Sequence, residues 1–439
     1  MKKYDNYKDS GIEWLGEIPN HWKVTKLKFI GDAIGGLTYA PNNVVDNENE
    51  GVLVLRSSNI QNGKLSLKDN VFVNLEISDK LTLKKGDILI CSRNGSQHLI
   101  GKNICINERT EGSTFGAFMM IFRSKYYGFL NQYFNSPIFT SQSGLFLTAT
   151  INQLTSGTLN NFYIAIPKSI EEQTAIANYL DHKTTQINTL IVKKEQFISL
   201  LKEESTAVIN QAVTKGLDPK VKMKDSGIEW LGEVPEHWEV KRIGHISKVI
   251  RGASPRPAGD PLLFNGDFLP WITVKEVTNA SGKFITSTES FLTELGAIQT
   301  RILEPETLIL SNSGATLGVP RITLIRGGIN DGSVAFLNLN IERDYLYYFF
   351  TTHTNIYRDE ASGYGQPNLN TEIVKSTKIP VPPIVEQLEI IKFIEKELSI
   401  FEELISKSQQ EIELLKEYKT ALISEVVTGK IDVRDEVLN

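Results

Sequence analysis

Cysteine is scarce in this 439-residue sequence, with Cys91 and Cys105 the only two. A disulfide framework is therefore excluded as the organising principle, and a reducing compartment is expected. Cys91 ends the apolar run Ile88-Leu89-Ile90-Cys91, where a buried, inert thiol is the expectation. No apolar run approaches the length of about 20 residues that a membrane helix needs. The opening MKKYDNYKDSG lacks the apolar core of a secretory signal. A cytoplasmic protein without membrane association is expected.

Positive charge is not in excess either. The net charge is −5, with 18 Lys+Arg against 14 Asp+Glu in residues 1–170, 16 against 18 in 221–385, and 6 against 10 in 386–430. Such a balance excludes a nonspecific nucleic-acid coat, whose affinity comes from massed cations on phosphates. It permits a specific reader whose positive groups converge on one face.

Recognisable enzyme parts are missing as well. The segment from Gly95 to Asn103 imitates a phosphate loop, but it has one residue too many and Asn103 where Ser or Thr should hold magnesium. No Gly-rich cofactor fingerprint follows a strand, and no Asn-Pro-Pro-aromatic element of amino-methyltransferases occurs. His21 and His237 have no Cys, His or carboxylate neighbours at metal-site spacing. No metal site is expected.

What the sequence does contain is an internal repeat. Residues 8–22 read KDSGIEWLGEIPNHW and residues 224–238 read KDSGIEWLGEVPEHW, identical at 13 of 15 positions with an offset of 216. A weaker match pairs INQAVTKGLDP at 209–219 with ISEVVTGKIDV at 423–433. Between these anchors the halves share pattern more than identity. Ile166-Pro167 before Glu172-Gln173 parallels Val381-Pro382 before Glu386-Gln387. Repeats of this kind are units of architecture.

Each half opens with a globular stretch of short apolar strands, such as Val52–Leu55, Asp87–Ile90 and Thr307–Leu310, between Gly/Asn/Ser turns. Aromatic stretches at 126–130 and 345–350 read as helices packed under a sheet. Each half closes with a long helix. Ser169-Ile-Glu-Glu172 has the form of a capping box. The stripe Leu180, Ile187, Leu190, Phe197, Leu201 and Val208 follows it. The second helix carries Ile394, Leu398, Phe401, Leu404, Ile405, Ile412, Leu415 and Leu422. Forty-odd residues at 1.5 Å each give roughly 65 Å, too long for a small domain's core and suited to a coiled coil. Connectivity makes the pair antiparallel, which returns the C-terminus to the first copy of the repeated motif.

This organisation resembles the specificity subunits of Type I restriction-modification systems, over essentially the whole chain. SGIEWLGEIPNHW and SGIEWLGEVPEHW are similar to the motif that introduces that family's target-recognition domains. IPKSIEEQTAIANYLD and VPPIVEQLEIIKFIEKEL resemble its junctions between domain and spacer. The expected fold is α+β, with two pseudo-repeated mixed α/β target-recognition domains at 1–168 and 217–383. An antiparallel coiled coil of two long helices, 169–216 and 384–430, separates them, and 431–439 forms a tail. The resemblance implies a non-catalytic chain whose domains each read one half of a bipartite, asymmetric target in double-stranded DNA. It implies helices that set the spacing and dock two methyltransferase subunits, and a restriction/translocase subunit that joins them. S-adenosylmethionine then belongs to the methyltransferase partners, ATP and Mg to the restriction subunit, and no cofactor to this chain. The rivals are a coiled-coil adaptor that holds proteins, and a self-contained nuclease or methyltransferase.

Base reading needs donors and acceptors on loops, Arg or Lys for guanine and Asn or Gln for adenine. The first domain offers Arg56, Ser58 and Asn59 after one strand, and Arg93, Asn94 and Gln97 after another. The second offers Arg251, Arg256, Lys275, Asn312, Ser313, Tyr364 and Gln366. Trp14, Trp22, Trp230 and Trp238 belong to the repeated motif, whereas the two domains should read different sequences. They are assigned to packing at the junction of domain and helix, and to methyltransferase docking.

Overall fold

The computed structural model describes residues 2–61, 63–144, 153–314, 316–361 and 369–436. Two long helices, Ile170–Lys215 and Ile384–Val427, punctuate the chain. It divides into two compact units, one of Met1–Lys194 with Gln409–Asn439 and one of Glu195–Ser408. Each unit holds one globular domain and part of both helices. Among the described residues, no helix is long and apolar enough to cross a membrane.

In the first unit an antiparallel sheet runs in the order Asn103–Cys105, Ile88–Cys91, Met119–Arg123, Asp32–Gly35. Side chains alternate across a strand, so this sheet serves two cores. Ile88, Ile90, Met120 and Phe122 pack on Phe129, Leu130, Tyr133 and Phe134 of the helix Tyr127–Phe134. Leu89, Cys91, Met119 and Ile121 face a second core with Leu55 and Phe115. Leu55 and Phe115 come from a smaller sheet, in which Thr114–Phe115 lies parallel to Val52–Leu55. The second unit repeats the plan. Leu308, Leu310, Val334 and Phe336 face the helix Arg343–Ala361, while Ile309 and Ala335 face Ile272 and Ile329. The expected aromatic helices under a sheet are present in both domains. Cys91 is buried and Cys105 half-buried, both as free thiols. Burial pushes the Cys105 thiol up to about 11, so it stays protonated.

The helices pair antiparallel in the first unit, and in the second Ile209 and Val213 share a core with Ile390 and Ile394. In the first, Lys194 pairs with Glu411, and Lys419 donates to Asn188 Oδ1 at 2.9 Å. The residue number falls on one helix as it rises on the other. Such exposed polar pairs contribute little; the apolar seam holds the helices, each buried Leu or Ile contributing about 1.5–3 kcal/mol. Its composition departs from the expected stripe. Leu180, Ile187 and Leu201 are buried, but Leu190 and Phe197 are exposed and Ile198 and Ile209 take the inner places. On the second helix Ile394, Ile412 and Leu422 are buried, Leu404 is exposed, and a buried Ser408 holds the seam place between Ile405 and Ile412. One residue is a 100° step on a helix, so alternation of three and four selects Ile198 over its neighbour Phe197.

Each domain is locked to its helix by one carboxylate, buried at Glu172 and half-buried at Glu386. The fully buried Trp22 donates its indole N–H to Glu172 Oε1 at 2.9 Å, and His21 Nε2 lies 2.8 Å from Glu172 Oε2. In the second unit Trp238 donates to Glu386 Oε2 at 2.8 Å, and His237 Nε2 lies 2.7 Å from Glu386 Oε1. Both carboxylates stand in the first turn of a long helix, where the helix dipole favours negative charge. The expected capping box forms only by half. Ser169 Oγ accepts the Glu172 N–H at 3.2 Å, but the Glu172 carboxylate turns to the indole instead of back to Ser169. A buried indole N–H left without an acceptor is costly, whereas Ser169 is exposed and its backbone is open to solvent. The neighbouring glutamines repeat too: Gln173 donates to the Pro167 carbonyl and Gln387 to the Pro382 carbonyl, each at 2.8 Å.

The C-terminus meets the N-terminus as connectivity required. The Asp432 N–H donates to the Lys2 carbonyl at 2.9 Å, and Tyr7 Oη donates to the Lys430 carbonyl at 3.2 Å. Lys430 Nζ caps the Glu17 carbonyl, as Lys215 Nζ caps that of Glu233.

Two stability experiments follow. Glu172→Ala leaves a buried indole donor without its acceptor, and should lower the urea stability of the first unit by about 1–3 kcal/mol. Glu172→Gln, which keeps an acceptor, should lose less; equal losses would mean that the indole bond contributes nothing. The second concerns His353, which stacks on Phe349 with centroids 4.2 Å apart, meets Trp230 at 4.2 Å, and buries Nε2 without a partner. Burial pushes its imidazole down to about 4. Between that value and the unfolded value of about 6.5, only the unfolded chain binds the proton. The stabilisation is thus full above pH 6.5 and is lost as pH falls towards 4, by at most about 3 kcal/mol. His353→Phe should flatten this part of the urea-stability profile of the second unit between pH 7 and 4.5.

Candidate nucleic-acid interface

The strand ends of the first domain open into a cleft of about 1170 Å³. Arg56, Ser58, Arg93 and Asn94 line it together with Tyr39, Lys102 and Phe118. Each stands just beyond a strand: Arg56 after Val52–Leu55, Arg93 after Ile88–Cys91, and Phe118 before Met119–Arg123. Four of the six residues proposed for this domain are therefore gathered at one place.

Their environments differ. Arg93 is exposed, its guanidinium carbon 5.3 Å from the centre of the Phe118 ring, and the Phe118 ring is itself 58% exposed. Asn94 donates to Ser57 Oγ at 3.0 Å and accepts the Ser96 N–H at 3.0 Å. Arg56 donates to Asp69 Oδ2 at 2.8 Å, while its Nε and Ser58 Oγ are buried without a partner. Asn59 is fully buried. Its Oδ1 accepts the Arg56 N–H at 2.8 Å and its Nδ2 donates to the Ser66 carbonyl at 2.9 Å, so it shapes the loop and offers no edge to a base. Gln97 is exposed outside the cleft lining, in the short turn Gln97–Leu99. Lys102, the lysine of the imitation phosphate loop, donates to the carbonyls of Ser57 at 2.6 Å and Ile60 at 3.0 Å, and so joins two loops.

In the second domain Arg251 Nε donates to the Asp331 carbonyl at 2.8 Å, and Arg256 lies 3.5 Å from Asp331 Oδ2. Ser254 Oγ donates to Asp331 Oδ1 at 2.6 Å. Lys275 pairs with Glu289 across a smaller cavity of about 590 Å³. Asn312 is fully buried with both side-chain polar atoms lacking a partner, and Ser313 beside it is half-buried. Tyr364 and Gln366 lie outside the described residues.

The two domains superpose in their hydrogen bonds although their sequences differ. Gly36 N donates to Met119 O at 3.1 Å as Gly252 N does to Ser333 O at 3.0 Å. Ser92 N donates to Phe118 O, and Asn312 N to Gly332 O, each at 2.9 Å. Gly116 N bonds Leu55 O as Asn330 N bonds Ile272 O, and Leu154 N bonds Ser92 O as Leu369 N bonds Asn312 O. Arg56 N meets Asn59 Oδ1, and Thr273 N meets Glu276 Oε2. The two strands approach so closely that a Cβ on Gly36 would stand 2.2 Å from Gly116 O, and one on Gly252 2.0 Å from Asn330 O. Glycine is required at both places. On this common frame Arg56, Ser58, Arg93 and Phe118 correspond to Thr273, Lys275, Ser313 and Gly332.

Sequence reasoning missed Tyr39, Phe118 and Asp331, and singled out the segment 251–256 that holds Ser254. Their local signal is that of ordinary turns, and only the frame brings them to the strand ends. The tryptophans divide: Trp22 and Trp238 are fully buried, while Trp14 and Trp230 are 45% and 38% exposed. His21 and His237 are engaged by glutamates. No group of three or more potential metal ligands occurs among the described residues.

The family model described as the Type I restriction modification DNA specificity domain matches residues 19–199 and again 235–414. The EcoKI specificity subunit of Escherichia coli (strain K12) is 24% identical over 405 residues, 87% of this chain and 83% of its own. A solved chain from work on the assembly and conformational transition of the type I R-M system shares the fold, with a TM-score of 0.75 at 16% identity. The match covers 94% of this chain and 99% of that one. The HsdS subunit from Thermoanaerobacter tengcongensis gives a TM-score of 0.58 at 15% identity, covering 94% and 98%. With both halves matched by the family model, this chain belongs to the DNA-specificity subunits of Type I restriction-modification systems.

Proposed function

We propose that each domain reads one half of a bipartite, asymmetric DNA target through the cleft at its strand ends. The long helices set the gap between the half-sites and dock two methyltransferase subunits. The observation that carries this reading is the common backbone frame with exchanged side chains. A frame held by backbone bonds keeps the loops at one place on a groove, while side chains supply the sequence information. The cleft of the first domain presents Arg93 with Phe118; the equivalent strand ends of the second domain carry Asp331 with Ser254 and Arg256. Unlike strand ends on one frame call for unlike half-sites. As the specificity subunit, the chain selects DNA and leaves catalysis to its partners. S-adenosylmethionine would be held by the methyltransferase subunits, and ATP and Mg by a restriction subunit. The helices carry apolar residues outside their seam, Leu190, Phe197 and Leu200 on the first and Leu404, Leu414 and Tyr418 on the second. Exposed apolar positions at helical spacing suit a partner's helices.

Asp331→Ala together with Ser254→Ala should alter base preference in one half-site only, read as methylated adenines in cells carrying the complete system. Changes in both half-sites alike would refute independent reading. The spacing role has its own test. Four residues added after Lys193, and four after Lys407, lengthen each helix by about 6 Å, close to two base pairs at about 3.4 Å each. Nearly one turn is added, so the seam keeps its approximate register. The doubly extended protein should keep both half-sites and prefer a longer gap; an unchanged gap at full activity would show that the helices do not measure distance.

A further inference from the structure

The cations of the first cleft differ in what already holds them. Arg56 is tied to Asp69 at 2.8 Å, and Lys102 is bound to two carbonyls. Arg93 makes no side-chain hydrogen bond or ion pair to any described residue. Its one side-chain contact of note is the Phe118 ring, 5.3 Å away. Its main chain is pinned to the same loop, with the Arg93 N–H donating to the Phe118 carbonyl at 3.1 Å. An aromatic ring against one face of a guanidinium leaves the in-plane fork of N–H groups as the part a ligand can engage.

We infer that Arg93 reads a guanine in the half-site of the first domain, with Phe118 as the platform that orients it; this rests on the proposal that the cleft meets the DNA groove. The chemistry selects the base. A guanidinium fork offers donors only. In the major groove guanine presents two adjacent acceptors, O6 and N7, whereas adenine pairs an acceptor with a donor, cytosine offers a donor, and thymine an acceptor beside a methyl group. A fork of donors meets its full complement on guanine alone. In the second domain the corresponding residues are Ser313 and Gly332, so neither fork nor platform exists there. This route to guanine is confined to one half-site.

The test uses the full chain assembled with its modification subunits, selecting from a random duplex pool at fixed salt. The wild-type complex should demand guanine at a position of one half-site. Arg93→Ala should reduce that preference about 5- to 150-fold and leave the other positions and the second half-site intact. The intact half-site reports that the variant is folded and assembled; Arg93→Gln replaces it if the alanine variant fails to assemble. Phe118→Ala should weaken the same position by a smaller factor, and no effect there would overturn the platform role. Loss at a base other than guanine, or equal loss on every sequence as expected of a phosphate contact, would overturn the guanine assignment while leaving half-site reading in place. If neither Arg93→Ala nor Asn94→Ala altered any position, the cleft would not be the reading surface, and both proposals would fall.

Discussion

A buried indole N–H must find an acceptor, and in each half of this protein the acceptor is a glutamate in the first turn of a long helix. Trp22 with Glu172, and Trp238 with Glu386, tie the opening motif of a domain to the helix that leaves it, about 150 residues later in the chain. The bond settles more than local packing. It sets where the helix starts relative to the domain's last strand, Tyr163–Ile166 or Lys378–Val381, and the adjoining glutamine closes onto the carbonyl of the proline that follows that strand. The repeated SGIEWLGE(I/V)P(N/E)HW motif survives in both halves in a form suited to this joint, with Trp and His on one carboxylate. The cleft shares no residue with this joint and is free to differ.

That separation explains how two domains keep one fold while the side chains at their strand ends diverge. The frame around the strand ends is made of backbone donors and acceptors, with glycine where two strands come too close for any Cβ. Side chains at 58, 93 and 118 do little for that frame, whereas in the second domain Thr273 Oγ1 accepts the Lys275 N–H at 3.2 Å and so helps close its loop. Asn59 and Glu276 likewise each close a loop through a side-chain acceptor. Loops carried on a rigid scaffold can change recognition at small cost in stability. A specificity subunit needs this property, because altering the target must not undo the protein.

The helices obey a different constraint. Their seam alternates by three and four, and a buried Ser408 interrupts its apolar run. A polar residue at a seam position helps define register at some cost in stability. Outside the seam the helices carry more apolar surface than two paired helices in water require. Under the proposed function that surface is where the methyltransferase subunits dock.

The sequence alone was enough for the repeat, the two long helices, their antiparallel sense and the meeting of the chain's ends. These follow from periodicity and connectivity, which are local or topological. It also brought Arg56, Ser58, Arg93 and Asn94 forward as loop residues after strands, since such loops are where polar side chains reach outward. Tertiary structure decided what residues one position apart would do. Ile198 and Phe197 are equally apolar, but a 100° step puts one in the seam and the other outside it. Ser58 and Asn59 are equally polar, yet Asn59 is turned inward by the orphan backbone donor of Arg56. Glu172 matched a capping box in sequence, and the buried indole of Trp22 claimed it instead. Phe118 became part of the cleft only because the strand Met119–Arg123 starts beside Arg93. Local pattern sets which element forms; which neighbour a side chain meets depends on chain segments far away in sequence, and that is settled only when they pack.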